Sequence, residues 1–103
     1  MAISSIEKQG SWYNIYDEKG KKSKTLAVSS IGEIIGNSAE FFIARSGSWY
    51  HFYDENGKKY KTHAVSAIGE FISISGNTFI AKLGSWLNTY DNFGKKISTR
   101  AAK

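Results

Sequence analysis

Gly10-Ser-Trp-Tyr-Asn-Ile-Tyr-Asp-Glu-Lys-Gly-Lys-Lys22 is written three times in this chain. It returns as Gly47-Ser-Trp-Tyr-His-Phe-Tyr-Asp-Glu-Asn-Gly-Lys-Lys59 and as Gly84-Ser-Trp-Leu-Asn-Thr-Tyr-Asp-Asn-Phe-Gly-Lys-Lys96, so the copies stand 37 residues apart. A fixed period of this order marks a repeat architecture, because a short unit cannot bury its own apolar face and stacks on its neighbours. Working outward, Val28-Ser-Ser-Ile-Gly-Glu33 matches Val65-Ser-Ala-Ile-Gly-Glu70, and Phe42-Ile-Ala44 matches Phe79-Ile-Ala81.

Inside the anchor, Ser11 to Asp17 reads as a strand with Trp12, Asn14 and Tyr16 on one face and Ser11, Tyr13 and Ile15 on the other. Both faces are largely apolar, which fits an interior strand. A short strand over residues 3–8 precedes it, joined by the two-residue turn Gln9-Gly10, which recurs as Ser46-Gly47 and Leu83-Gly84. Asp17-Glu-Lys-Gly20, Asp54-Glu-Asn-Gly57 and Asp91-Asn-Phe-Gly94 are turns in which Asp accepts backbone hydrogen bonds. Gly20, Gly57 and Gly94 supply the positive φ that such a turn requires. The next strand, Lys21 to Ser29, has an unchanging small face of Thr25, Ala27 and Ser29, expected to abut the tryptophan. Its other face changes from Leu26 to His63 to Arg100 and is expected to see solvent.

Glu33-Ile-Ile and Glu40-Phe-Phe-Ile-Ala44 complete a period of four short strands, about eleven in the chain, with no helical periodicity. The fold class expected is all-β: three tandem 37-residue four-stranded antiparallel meander repeats. The units are 2–38, 39–75 and 76–103 within a single domain 1–103, the third lacking its last strand. An open edge invites pairing, so closure by the N-terminus or a homo-oligomer is expected. Pseudo-threefold closure, β-prism- or β-trefoil-like, comes first; blades of an oligomeric β-propeller come second. A blade needs a connection back from its outer edge, and Gly36-Asn-Ser and Ser75-Gly-Asn are short for that. Period and length are close to those of the monocot mannose-binding β-prism lectins, but their Gln-x-Asp-x-Asn-x-Val-x-Tyr site is missing. A window ending at Tyr16 reads Lys8, Gly10, Trp12 and Asn14 instead.

The 103 residues suit one domain, and the absence of cysteine removes disulfides and thiolate zinc sites. No signal-peptide pattern opens the chain and no apolar run approaches a membrane span, so a cytoplasmic protein is expected. Nothing forms a catalytic, metal or cofactor constellation. His51 and His63 are isolated, Asp17, Asp54 and Asp91 are explained by their turns, and Glu33 and Glu70 are expected to pair with neighbouring lysines. Ser11, Ser48 and Ser85 lack the pattern of a nucleophile elbow. An enzyme is not expected.

Trp12, Trp49 and Trp86 are most simply core, with Tyr16, Tyr53 and Tyr90 beside them as structural residues; an exposed stacking platform is the alternative. Fourteen Lys+Arg against nine Asp+Glu give a net charge of +5. The excess recurs by position, as Lys21-Lys22, Lys58-Lys59 and Lys95-Lys96 after the turn and as Lys8, Arg45 and Lys82 before the hairpin. Lys24, Lys61, Arg100 and Lys103 enlarge the clusters, and Tyr13, Tyr50 and Tyr60 offer rings for stacking. The function expected is a non-catalytic multivalent module for a polyanion, either nucleic acid or acidic glycan. Two other readings stand beside it: a lectin-like module for neutral sugars with one site per repeat, and a structural self-assembling protein.

Overall fold

In the computed structural model, which describes residues 3–101, eleven strands form three antiparallel sheets. The first sheet holds β1 (Ile3–Gln9), β2 (Trp12–Asp17) and β3 (Lys22–Ala27). The middle sheet holds β4 (Glu33–Asn37), β5 (Phe41–Ser46), β6 (Trp49–Asp54) and β7 (Lys59–Ala64). The third holds β8 (Glu70–Ser75), β9 (Thr78–Leu83), β10 (Trp86–Asp91) and β11 (Lys96–Ala101). Each sheet is a meander in which strands pair in chain order. Lys103 lies outside the described residues.

The Asp…Gly turns form as their chemistry requires. In the first, the Gly20 N–H reaches the Asp17 carbonyl at 3.0 Å, and the Lys19 and Lys21 N–H groups donate to Asp17 Oδ1 at 2.9 and 3.0 Å. Asp54 and Asp91 repeat the pattern, and φ is 78°, 80° and 82° at Gly20, Gly57 and Gly94.

Consecutive sheets are joined by single helical turns that sequence periodicity does not reveal, α1 (Val28–Ile31) and α2 (Val65–Ile68). One turn is too short to express a 3.6-residue period. Each closes with a glycine N–H bonded to the first helical carbonyl, Gly32 to Val28 at 2.8 Å and Gly69 to Val65 at 2.7 Å. These segments are the connections from the last strand of one sheet to the first of the next. Gly36-Asn-Ser is instead part of the β4–β5 hairpin. The sheets are therefore one strand out of step with the units 2–38, 39–75 and 76–103, and among the described residues the incomplete sheet is the first, not the third.

Side chains alternate across each strand. We call the face carrying the tryptophan the front. The back of the first sheet, with Tyr13 and Ile15, packs on the front of the middle sheet, with Phe42, Ala44 and Tyr53. The back of the middle sheet, with Phe41, Ile43, Tyr50 and Phe52, packs on Phe79, Ala81 and Tyr90 of the third. Phe42 stacks on Tyr53 at 4.9 Å and Phe79 on Tyr90 at 5.1 Å, while Phe52 meets Phe79 edge-on at 5.4 Å across the joint. Neither buried cluster contains a pair from the first and third sheets. A closed threefold arrangement would bury those two against each other, so the stack is an open, blade-like series.

The outer strands add a second layer of joints. His63 Nε2 lies 2.8 Å from the Phe93 carbonyl, and the Tyr60 hydroxyl donates to the Asn92 carbonyl at 2.5 Å. A Cβ on Gly57 would stand 3.2 Å from Leu26. The position occupied by Leu26 and His63 thus touches the turn of the following sheet, correcting its assignment to solvent.

Candidate ligand-binding site

Register places five side chains of the first sheet together on its front. Trp12 lies opposite Gln9 on β1 and Ala27 on β3, and Asn14 lies opposite Thr25. Lys22 pairs with Tyr16, one step further along the same face. The small Ala27 across from the indole leaves room beside it. Gln9, Trp12, Asn14, Lys22 and Thr25 line a shallow cavity of about 310 Å³.

The third sheet builds the same cavity from the corresponding residues. Leu83, Trp86, Asn88, Lys96 and Thr99 enclose about 230 Å³, with Trp86 opposite Leu83 and Ala101 and Asn88 opposite Thr99. In the middle sheet, Trp49 lies between Ser46 and Ala64, and His51 faces Thr62. Lys59 pairs with Tyr53, as Lys22 does with Tyr16.

The tryptophans are 52, 51 and 53% exposed, which corrects the core assignment. Burial in this fold is supplied by the neighbouring sheet: among the described residues none lies on the front of the first, and neither buried cluster reaches Trp49 or Trp86 on the other two fronts. The asparagines are different: Asn14 and Asn88 are buried. Thr25 Oγ1 donates to Asn14 Oδ1 at 3.2 Å, Asn14 Nδ2 donates to Gln9 Oε1 at 3.2 Å, and Thr99 Oγ1 bonds Asn88 Oδ1. An asparagine amide has two donors and two lone pairs, and a threonine hydroxyl two lone pairs. Each cavity therefore presents spare donor and acceptor capacity in a fixed row across two strands.

In the middle sheet His51 Nδ1 and Thr62 Oγ1 are 3.1 Å apart, the donor depending on the tautomer. Burial, and then the positive charge of Lys59, lower the His51 pKa below its ordinary value. His63 projects from the opposite face and serves the joint to the third sheet. Among the described residues, no group of three or more His, Cys, Asp or Glu side chains comes together as a metal site.

The expected binding residues divide. Lys22 and Lys96 enter the cavities and Lys59 holds the same place in the middle sheet, while Lys21, Lys58 and Lys95 close the turns through their backbone N–H groups. Lys8, Arg45 and Lys82 project from the back, opposite Tyr13, Tyr50 and Leu87 in the ladders, so the two basic sets do not share a face.

Tyr13 and Tyr50 are buried and cannot offer open rings. The Ile34 N–H donates to the Tyr13 hydroxyl at 3.1 Å, and the Tyr50 hydroxyl donates to the Gly69 carbonyl at 2.7 Å, each tying a sheet to the next. Tyr60 belongs to the same kind of joint, and burial pushes its pKa up to about 12. The expectation of three stacking tyrosines is corrected on that ground. Asn14, Thr25, Asn88 and Thr99 were missed as site residues. Their signal was available: they recur on the tryptophan's face at the repeat spacing. Comparison with family models, with curated proteins and with solved structures finds no match for this chain.

Proposed function

We propose that the chain is a non-catalytic, multivalent glycan-binding module with one shallow tryptophan-walled site on the front of each sheet. The observation that carries this reading is the recurrence of the same cavity, from corresponding residues, on the first and third sheets. An aromatic wall covers the apolar C–H face of a sugar ring, and neighbouring amide, hydroxyl and ammonium groups serve its hydroxyls. Cavities at or below the lower end of the roughly 300–1,000 Å³ range of ligand pockets suit one or two sugar units. Weak sites on one body gain avidity through effective concentration, which explains the value of repetition.

A second reading keeps the lysines central. Lys22 and Lys96 stand in the cavities, and the net charge is +5, which favours an acidic glycan over a neutral one. Titration with a neutral oligosaccharide library and with heparin fragments, each at two salt concentrations, separates the two. For a heparin fragment, the log K against log salt slope falls by roughly one for each phosphate- or sulfate-type contact removed by Lys22→Glu or Lys96→Glu. A neutral sugar gives little salt dependence. In either case Trp12→Ala with Trp86→Ala abolishes measurable binding while the protein stays folded. Retained affinity in that double variant overturns the site.

A further inference from the structure

Among the described residues the first sheet has three strands where the other two have four, and the space beside it has a defined shape and charge. In the other two sheets β4 pairs antiparallel with β5, and β8 with β9. Among the described residues β1, the counterpart of β5 and β9, pairs with β2 alone, and its opposite edge carries no strand. Beside that edge lies a cavity of about 320 Å³ whose lining includes Ile6, Lys8, Tyr13, Glu33, Ile34 and Asn37. Between the middle and third sheets the corresponding space is filled. There Phe71 and Ile74 of β8 lie so close to Gly36 of β4 that a Cβ on Gly36 would stand 2.6 Å from Phe71. Ile34 and Asn37 hold the places of Phe71 and Ile74, but no inner strand covers them.

Charge marks the same gap. Arg45 on β5 stands opposite Glu33 on β4, and Lys82 on β9 opposite Glu70 on β8. Lys8 is the basic residue at that position in β1, and its ladder partner is Tyr13 on the β2 side. The acidic residue that faces the other two cations across the ladder has no counterpart here. Unpaired N–H and C=O groups along a strand edge are a template for a further strand. A strand added there draws affinity from backbone bonds and specificity from alternate side chains.

We propose that the free edge of β1 accepts an extended segment of a partner polypeptide as an antiparallel fourth strand. The segment recognised carries an acidic residue opposite Lys8, then two apolar residues and a small one. This is the pattern that the chain itself uses in Glu33-Ile-Ile-Gly36 and Glu70-Phe-Ile-Ser73. The first apolar side chain lies on the front, while the second, the counterpart of Ile35, faces the middle sheet together with the small residue, which leaves room for Ile34 as Gly36 does for the Phe71 side chain. The inference is independent of the glycan sites, which lie on the front of the sheet.

The test is a titration of the whole chain with the synthetic peptide Gly-Glu-Phe-Ile-Ser-Ile-Ser-Gly, followed by amide hydrogen exchange. Saturable binding with slowed exchange at alternate β1 amides is expected. Lys8→Glu weakens it at least tenfold, and a peptide with lysine in place of its glutamate recovers the loss against that variant. Lys8 is exposed, so the variant keeps its fold; a peptide N-methylated at alternate positions, expected not to bind, tests the edge without touching the protein. No saturation at millimolar peptide overturns the proposal, as does protection confined to β11. A stable dimer of the free protein with β1 amides already protected also overturns it, by assigning the edge to a second copy.

Discussion

The middle and first sheets share a meander and turn chemistry yet differ on their fronts. Phe42 and Ala44, fully buried against the first sheet, correspond to Ser5 and Glu7, which are exposed. The third sheet differs on its back: Phe41, Tyr50 and Phe52 are replaced by Thr78, Leu87 and Thr89. Among the described residues, the buried aromatic rings all lie on faces that meet another sheet. The backbone plan is thus set by turns and register, while stacking is set separately, face by face. A polar outer face keeps a repeat unit soluble where no neighbour covers it, and among the described residues Glu7 lies on such a face. The third sheet keeps more apolar surface in the open, with Ile72 and Ile97 exposed on it.

The comparison breaks most readily at Phe52. Its ring is fully buried in the joint to the third sheet, so Phe52→Ala is expected to cost about 3–5 kcal/mol. The matching change Thr89→Ala is expected to cost under about 1 kcal/mol. Urea unfolding of both proteins checks this, and equal losses would show that the two backs are not differently loaded.

A subtler contrast lies in the turns. Gly20 and Gly57 share a positive φ, but a Cβ on Gly20 meets nothing within 4 Å, whereas on Gly57 it meets Leu26 at 3.2 Å. Gly20→Ala should therefore report backbone strain alone, about 1 kcal/mol. Gly57→Ala should lose more, and the difference between their urea midpoints measures the joint between first and middle sheets.

Tyr50→Phe removes the hydroxyl that bonds the Gly69 carbonyl and is expected to cost about 1 kcal/mol. The third copy already has Leu87 at this position, and among the described residues no sheet follows it. Thermal melts of Tyr50→Phe and of Leu87→Tyr, the latter expected to be neutral, test whether the hydroxyl matters only where a neighbour exists.

The smallest effect concerns pH. His51 is held neutral more strongly when folded than when unfolded, because burial and Lys59 lower its pKa from 6.5. Below that value the unfolded chain binds more protons, so this contribution is present above about pH 6.5 and fades as pH falls through the folded value. A slight drop in urea midpoint between about pH 7.5 and about pH 5 is expected. It should be smaller in His51→Asn, which imports the residue used by the other two sheets.

Much of this plan was legible because its causes are local. Asp17 and Gly20 make their turn with partners four residues away or fewer, and strand alternation put Trp12, Asn14 and Thr25 on one face. The phase of the sheets was not legible, since Gly36-Asn-Ser38 and Ser30-Ile-Gly32 both have the composition of turns. Only the pairing of β4 with β5 shows which is the hairpin and which the crossing. Exposure of the tryptophans was hidden for a related reason. Whether a large side chain is core depends on how far the neighbouring sheet overlaps it, and no residue within the repeat records that distance. Tyr13 and Tyr50 did leave a trace: the same position turns to Leu87 in the copy that, among the described residues, has no sheet behind it.

Pairing in strict chain order has a kinetic meaning as well. Every ladder joins strands that are consecutive in the chain, so each needs only a short loop to close and the relative contact order is low for an all-β protein. Non-local pairing is what slows most sandwiches and barrels into the millisecond-to-second range. Here any one sheet can zip up as successive hairpins, and the middle one, which alone has neighbours on both sides, is the natural nucleus on which the other two condense.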